Sequence, residues 1–336
     1  MHSVSVVIRC FNEEEHLGNL LQAVAVQEGV RPEVIVVDSG STDDSVRIAE
    51  ASGARVLHIE KEDFTFGRSL NLGCAAATAE FIVIASAHVV PERNDWLLQM
   101  LRSFEDPDVA KVYGRQIGHT SSRFSEHEVL AKQFPPESNA EQASPFCNNA
   151  NSAIRTELWR RHAYDETLSG LEDLAWGKWA TENGFLLAYN AEAVITHIHH
   201  EAPSRILNRY RREAVALKRI FPDSHMSFWV FVKLLCQNIL NDQVRAVKAG
   251  RFWRYGWEVV MFRTMQYWGT YTGLSSRSVL TEEMLTRFYY PRELGQIQRL
   301  KGRFSKTRTQ VEVVNASGRR SRTNESAFGT GPGEEL

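Results

Sequence analysis

The stretch VIVVDSGSTDDS, residues 34–45, decides the fold. Its first five residues, 34–38, are apolar or β-branched up to the closing acid and predict a short buried strand. Asp38 ends this strand, and the small residues after it leave room for a ligand. The Asp38 carboxylate could accept hydrogen bonds from the hydroxyl or N–H groups of such a ligand. Residues 41–44, STDD, fit the N-cap of a following helix. A turn with a helix cap and no ligand is the alternative interpretation.

The same order of strand and helix continues on both sides of this stretch. Further strands are predicted at residues 4–8, 54–59 and 81–85, and helices at 12–27, 67–78 and 96–104. Strands that alternate with helices predict an α/β fold, with a mainly parallel sheet covered by helices on both faces. Ligands of such folds bind at the carboxyl ends of the strands, where Asp38 and the segment Ser86-Ala87-His88 lie.

The alternation changes after residue 109. The pattern predicts strand-like segments at 109–117, 185–190 and 193–200 and a polar loop at 118–145. Residues 147–155 and the segment TELWRR lead to a predicted helix at 171–183 that Gly184 closes. The chain from 204 to about 298 has a helical pattern rich in arginine and aromatic residues. From residue 301 the composition predicts a disordered tail.

Bulk composition excludes several classes of protein. The chain has 336 residues, a 43% hydrophobic content and a formal net charge of −2, which argues against a general nucleic-acid-binding protein. The four cysteines are far apart, as expected of free thiols in a reducing compartment. The N-terminus does not resemble a signal peptide, and the longest apolar run, 227–240, is too short and too polar to span a membrane.

Two charged segments besides Asp38 could contribute chemistry. Arg68 stands near the start of a predicted helix, where its guanidinium could bind a diphosphate; a plain surface arginine is the alternative. Glu172 and Asp173 occupy the first turn of the helix at 171–183, whose buried stripe is predicted to be Leu171, Leu174, Ala175 and Trp179. Acids favour helix starts because of the helix dipole, yet a carboxylate that faces a cleft could also be a general base.

Three histidines lie within ITHIHHE, residues 195–201. In an extended segment His197 and His199 share one face, and His200 faces the other way. Imidazoles at this spacing can bind a divalent ion.

Taken in order, these segments resemble glycosyltransferase family 2, whose members have the nucleotide-sugar-binding GT-A fold. The resemblance covers about residues 3–215, and residues 149–200 are similar to the acceptor side of bacterial polysaccharide transferases of the rhamnosyltransferase type. It implies a GT-A catalytic domain at 1–203, with a nucleotide-binding half (1–117) and an acceptor-side half (118–203). A helical extension at 204–300 and a disordered tail at 301–336 follow.

The resemblance also implies roles for single residues. Asp173 would be the catalytic base of an inverting transferase, with Glu172 as the alternative base or its neighbour. Asn149 and Asn151 would line the donor-sugar or acceptor side. The implied donor-binding residues are Arg9, Cys10, Asn12, Glu13, Asp38, Ser39, Arg68, Ser86 and Ala87.

The segment Ser86-Ala87-His88 departs from the family pattern. Related enzymes have Asp-x-Asp or Asp-x-His here, which holds a divalent metal against the donor diphosphate. The resemblance therefore implies that His88 is a metal ligand together with His199 or His197, and that Mn²⁺ suits the site better than Mg²⁺. The serine at position 86 removes one carboxylate from this site.

The predicted partners are a nucleotide-sugar donor and a saccharide or polyprenyl-linked acceptor. The arginines of residues 205–221 and the aromatic residues that follow are also typical of contact with an anionic membrane surface, through residues 204–270. A helical bundle with a basic, solvated face is the alternative interpretation. We expect a cytoplasmic protein, peripheral to the plasma membrane if that surface is used. The alternatives are a degenerate nucleotide-sugar-binding protein and a nucleotidyltransferase, although the glycine-rich loop typical of the latter is missing after the first strand.

Overall fold

The computed structural model describes residues 3–142, 144–198 and 201–275, which fall within one compact unit. An eight-stranded mixed sheet forms its centre, with strand order β3-β2-β1-β4-β7-β6-β8-β5. The strands are β1 Val4–Cys10, β2 Glu33–Asp38, β3 Arg55–His58, β4 Phe81–Ser86, β5 Val89–Pro91, β6 Val109–Gly118, β7 Asn151–Arg155 and β8 Leu186–His197. The helices are α1 Leu17–Ala25, α2 Ser45–Ala51, α3 Phe66–Ala76, α4 Trp96–Arg102, α5 Phe124–Gln133, α6 Thr156–Arg161, α7 Glu172–Glu182, α8 Pro203–Ile220, α9 Phe228–Lys248 and α10 Phe252–Ser275.

The first four long strands are parallel, as the alternation of strands and helices predicts. Strand β1 pairs in parallel with both β2 and β4, so that Cys10 lies opposite Asp38 and Arg9 lies opposite Ser86. The carboxyl ends of these strands therefore meet at one edge of the sheet. Strand β7 then pairs antiparallel with β4 and β6, which makes the sheet mixed.

Two hydrophobic cores cover the two faces of the sheet. Successive residues of β1 alternate between them, because side chains along a strand point to opposite faces. Val6 and Ile8 belong to the core that contains α1 and α4, and Val7 belongs to the core that contains α3, α6 and α7. This layering confirms the predicted α/β class.

Several predicted boundaries differ from the structure. The region 118–145 is not only a polar loop, because α5 lies within it. The two strand-like segments at 185–190 and 193–200 form the single strand β8, which bends at register shifts against β6. Helix α1 begins at Leu17 rather than at residue 12, since Asn12 has a left-handed backbone with φ of 54°.

Glycine at position 73 lets α3 lie directly against the sheet. A Cβ atom there would lie 2.4 Å from Val7 Cγ1 and 2.9 Å from Val37 Cγ2, closer than real Cβ contacts allow. We expect Gly73→Ala to lower the free energy of unfolding by about 1–3 kcal/mol, because overpacking a tight core forces shifts.

Gly18 in α1 is the matched control for this prediction. The nearest atom to a Cβ at Gly18 is 3.8 Å away, so Gly18→Ala meets only ordinary contacts and gains helix propensity. Denaturant unfolding should show a lower midpoint for Gly73→Ala and an equal or higher one for Gly18→Ala. Equal midpoints for both variants would contradict the close packing of α3.

The chain after β8 is helical, as predicted, through Ser275. Helix α8 packs against α10, which in turn contacts α9. No helix among the described residues is long and apolar enough to cross a membrane. The tail predicted at 301–336 and the end of the helical extension lie outside the described residues, and the domain limits stay predictions.

Candidate active site

Asp38 organises the turn that follows β2. Its carboxylate accepts hydrogen bonds from the backbone N–H groups of Gly40, at 3.0 Å, and of Ser41, at 3.2 Å. Gly40 has a φ of 84°, which a residue with a side chain rarely adopts. The exposed ring of His58 lies 3.5 Å from the carboxylate. The predicted acid is thus buried at the carboxyl edge of the sheet.

The loops after β1 and β2 are tied together by their polar side chains. Asn12 Oδ1 accepts from the Thr42 N–H at 2.7 Å, and the Ser41 and Ser45 hydroxyls accept from the N–H groups of Asn12 and Glu13. The prediction that the side chains of residues 41–44 cap the following helix is therefore wrong. Residues 41–44 bind the neighbouring loop, and α2 begins after Asp44 with no side-chain cap.

Cys10 is part of the framework beneath this edge. Its thiol is buried, and burial raises its pKa to about 12, so the thiol is neutral. Ser39 is also buried, and its hydroxyl donates to the Cys10 carbonyl at 3.3 Å. Side-chain chemistry from Cys10 is excluded at neutral pH, and this position can offer a ligand only its backbone.

His88 and His197 lie against each other, as a shared site requires. Their rings stack with centroids 5.1 Å apart. His88 Nδ1 lies 2.8 Å from Glu13 Oε1, and His197 Nδ1 lies 2.8 Å from Gln116 Oε1. Both acceptors are oxygens, so each Nδ1 carries the proton, and Nε2 of a neutral ring is the acceptor.

Each of these two imidazoles has an oxygen partner at Nδ1. Ligating histidines generally donate their second nitrogen to a carboxylate or amide oxygen, as both do here. Burial, together with the charges of His88 and Arg209, holds the pKa of His197 well below its usual value, so the ring is neutral. Within the described parts of the chain no three His, Cys, Asp or Glu side chains converge on one point. His199, the other predicted ligand, lies outside those parts.

Arg9 connects the carboxyl edge of the sheet with the start of α7. Its Nη1 lies 3.3 Å from Glu172 Oε1, and its guanidinium lies over the Phe66 ring at 4.8 Å. The guanidinium of Arg212, from α8, lies 4.5 Å from the centroid of the same ring. Two cations therefore flank Phe66 next to Ser86, the strand neighbour of Arg9.

Glu172 and Asp173 face inward from the first turn of α7. The buried residues of this helix are Glu172, Asp173, Trp176, Gly177 and Ala180, so the predicted stripe through Leu171, Leu174, Ala175 and Trp179 is wrong. Leu171, just before the helix, has a left-handed backbone with φ of 58°. The two acids lie on the packed face, where their charge has to be compensated.

Asn149 and Lys111 provide that compensation. The Asn149 N–H donates to Asp173 Oδ2 at 3.0 Å, and its Nδ2 donates to Glu172 Oε1 at 3.4 Å. Lys111, a fully buried residue of β6, donates from Nζ to Asn149 Oδ1 at 2.6 Å and to the Tyr164 hydroxyl at 3.1 Å. A buried ammonium thus orients the asparagine that holds both carboxylates.

The environment of Asp173 suits a general base. Burial first, and then the charge of Glu172, raise the pKa of its carboxyl to about 6, against the opposing effect of Lys111. A carboxylate with a raised pKa binds a proton more strongly, which favours proton abstraction near neutral pH.

Comparison with known proteins identifies the family. The profile of "Glycosyl transferase family 2" matches residues 5–166. This part of the chain belongs to glycosyl transferase family 2. Two curated relatives are the O-antigen chain rhamnosyltransferases RfbN of Salmonella typhimurium and WbaN of Salmonella anatum, 27% and 26% identical. Each alignment covers 62% of this chain and 70% of the relative.

Solved structures show the same fold. The mannosyltransferase PcManGT from Pyrobaculum calidifontis, solved in complex with GDP-Man and Mn²⁺, superposes with a TM-score of 0.55 and 18% identity. The alignment covers 87% of this chain and 88% of that chain. The glycosyltransferase described here therefore has the GT-A fold, as its sequence motifs imply.

Several predicted site residues of this glycosyltransferase make structural contacts, and their predicted binding roles stay predictions. Arg68 binds the carboxylates of Glu166, at 2.9 Å, and Asp63, at 3.3 Å, which ties α3 to the 165–168 loop. Asn151 is fully buried, accepts from Trp96 Nε1 and donates to two backbone carbonyls, so its amide holds the sheet together. Ala87 is buried. Ser86 is partly exposed beside Arg9.

The sequence reasoning missed Lys111, Gln116, Phe66 and Arg212. Lys111 had a detectable signal, since a single lysine inside the apolar segment VAKVYG has to be neutralised if that segment is a buried strand. The other three had none, because they contribute only through the distant elements that they contact.

Proposed function

We propose that this glycosyltransferase is an inverting enzyme that transfers a hexosyl or deoxyhexosyl group from a nucleoside diphosphate sugar to a saccharide or lipid-linked saccharide. The observation that carries the proposal is the contact between Arg9 and Glu172 at 3.3 Å. This contact joins the carboxyl end of β1 to the first turn of α7, which carries both carboxylates. A donor bound at that edge would present its anomeric carbon toward Asp173.

The donor would bind along the ends of β1 and β2. Asp38 would accept from the nucleoside, and the backbone at Cys10 and Ser39 would line its ring. Asn12 would keep the two loops in register, as its bond to Thr42 does in the structure. Two findings support this placement of the donor. PcManGT was solved with GDP-Man, and the two Salmonella relatives are named rhamnosyltransferases.

Asp173 would act as the base. The proton of the acceptor hydroxyl passes to its carboxylate while the hydroxyl oxygen forms a bond to the anomeric carbon. The bond from that carbon to the diphosphate breaks at the same time, and its electron pair leaves on the diphosphate oxygen. Glu172 and Asn149 would orient the base, and Arg9 and Arg212 would lie close to the negative charge that develops.

A divalent metal would be held by His88 and His197 together with diphosphate oxygens. When bound, such an ion neutralises charge on the leaving group. With Ser86 in place of a carboxylate, the protein contributes fewer charges to the ion, so we expect affinity for the metal to depend on the donor. An imidazole pair favours Mn²⁺ over Mg²⁺.

The acceptor assignment rests on the relatives. Both Salmonella proteins are named for the O-antigen chain, which supports a role in cell-surface polysaccharide synthesis. We place the reaction on the cytoplasmic side, where a polyprenyl-linked acceptor would be presented by the membrane.

A donor screen tests the proposal. Purified full-length protein is incubated with UDP-, GDP- and dTDP-sugars in Mn²⁺ or EDTA, and released nucleoside diphosphate is measured. We expect release from one donor, dependent on metal and increased by a saccharide acceptor. Absence of release from every donor, with and without a lipid-linked saccharide extract, would overturn the transferase assignment.

The variant His88→Ala tests the metal site in the same assay. We expect kcat/KM for release to fall by at least about 10-fold and the Mn²⁺ concentration for half-activation to rise, because one ligand is lost. His225→Ala is the matched control, since His225 is exposed and its ring nitrogen bonds to the carbonyl of Asp223, two residues before it. Metal-independent release that His88→Ala leaves unchanged would return His88 to a structural role.

A further inference from the structure

Helix α9 carries an exposed apolar stripe along its whole length. The residues Trp229, Cys236, Leu240, Val244 and Val247 are all exposed, and their spacing of three, four or seven residues places them on one face, with Lys233 beside them. Trp229 is 78% exposed and Leu240 is 64% exposed. An ordinary amphipathic helix turns such a stripe toward the protein core, so this one is available to an outside partner.

The first turns of α10 extend this surface. Trp253 is 95% exposed and Trp257 is 80% exposed, and the two lie one helical turn apart. The end of α9 is adjacent, because Gln243 Nε2 donates to the Gly256 carbonyl at 2.7 Å. We call the α9 stripe together with Trp253 and Trp257 the α9–α10 face.

The charges around the α9–α10 face are positive. Between residues 227 and 257 the sequence has five cations: Lys233, Arg245, Lys248, Arg251 and Arg254. Its one acid, Asp242, is buried and forms an ion pair with Arg263 at 2.7 Å. Arg245 also contacts Glu128. The segment therefore offers cations and indoles together, with no exposed acid of its own.

The arginines of α8, which the sequence suggested as the basic surface, are used differently. Arg209 is paired with Glu201 at 2.7 Å and Glu126 at 3.3 Å, and Arg212 lies against Phe66. Of the six basic residues in 205–221, only Arg219 is exposed. Helix α8 thus packs between residues of the sheet domain, such as Phe66 and Glu126, on one side and α10 on the other.

We propose that the α9–α10 face lies on the surface of an anionic phospholipid bilayer. Indole rings favour the bilayer interface, and the lysine and arginine side chains at the rim of the face complement lipid phosphates. A second copy of this chain is a poorer occupant, because a symmetric contact would bring five cations against five like charges. The inference deepens the proposed function by naming the surface that carries a lipid-linked acceptor.

Vesicle flotation of the full-length protein tests this surface. The probes are vesicles of phosphatidylethanolamine with about one-third phosphatidylglycerol, and vesicles of phosphatidylcholine alone. We expect binding to the anionic vesicles that weakens as NaCl rises, and a partition coefficient at least about 10-fold lower for Trp253→Ala/Trp257→Ala. Release of nucleoside diphosphate without vesicles should be unchanged in this variant, which separates the test from that of the transferase activity.

Two double variants with the same change of net charge test whether the position of the cations matters. Arg251→Glu/Arg254→Glu should lose binding to anionic vesicles, whereas Arg31→Glu/Arg160→Glu, which changes the net charge equally at exposed sites away from the face, should keep it. Wild-type protein that does not bind, binds both vesicle types equally, or loses binding equally in both charge variants would overturn the proposal. So would a dimer in sedimentation that dissociates in the tryptophan variant, since the face would then join two copies.

Discussion

Replacing Asp173 by asparagine is expected to lower kcat by about 10²–10⁴-fold, the usual contribution of a positioned general base. Donor affinity should change little, because the proposed role places the Asp173 carboxylate on the acceptor side and the Asn149 N–H holds it there. Donor binding by calorimetry and turnover by nucleoside diphosphate release measure the two quantities separately. Glu182→Gln, which removes an exposed carboxylate at the opposite end of α7, is the matched control and should retain full turnover.

The pH profile is a second readout of the same group. Proton abstraction requires the ionised form, so kcat should rise with pH through about 6 and level off above it, following the raised pKa of Asp173. This acid limb should disappear from the residual activity of Asp173→Asn. A variant that binds donor weakly yet turns over normally at saturation would contradict the assignment of the base, and Glu172→Gln would then be the next candidate.

Replacing Lys111 by methionine is expected to affect both stability and the pH profile. Removing one partner from a buried, hydrogen-bonded charge cluster costs about 3–5 kcal/mol of unfolding free energy. Lys111 also opposes the raised pKa of Asp173, so its loss should move the acid limb of kcat to higher pH. Chemical denaturation and a pH series of turnover measure the two effects.

Two variants show whether Lys111 acts through its charge. Tyr164→Phe removes the other hydrogen-bond partner of Lys111 Nζ and keeps the ammonium, so it should lower stability and leave the acid limb in place. Lys178→Met removes a partly exposed lysine of α7, which pairs with Glu182, and should change neither quantity. Loss of stability in Lys111→Met without a move of the acid limb would mean that Lys111 only supports the fold.

The parts of the site that could be predicted from the sequence are those set by local pattern. Asp38 and His88 follow buried apolar strands, so parallel pairing alone brings them to one edge of the sheet. Glu172 and Asp173 were predicted at the start of a helix, and α7 begins there. The direction in which the acids point was not predicted. The sequence reasoning placed the leucines on the packed face, because burying two carboxylates is costly unless distant residues compensate them.

Those compensating residues lie far from the acids along the chain. Lys111 is on β6 and Asn149 precedes β7, and only the mixed pairing of the sheet places both beneath α7. The same holds for the stacking of His88 on His197, which requires β5 and β8 to pair at the sheet edge. No periodicity within a short segment contains this information.

The sequence by itself thus determined the α/β class, the family and the acids and histidines that serve as candidates, because strands, helix starts and motifs depend on neighbouring residues. Only the tertiary structure decided which of the candidate residues meet one another and which contact other parts of the fold. It paired Arg68 with Glu166, buried Asn151 in the sheet and joined Arg9 to Glu172. It also left Trp229, Trp253 and Trp257 of α9 and α10 exposed. The physical reason is that charge compensation and burial are set by contacts between residues distant in sequence.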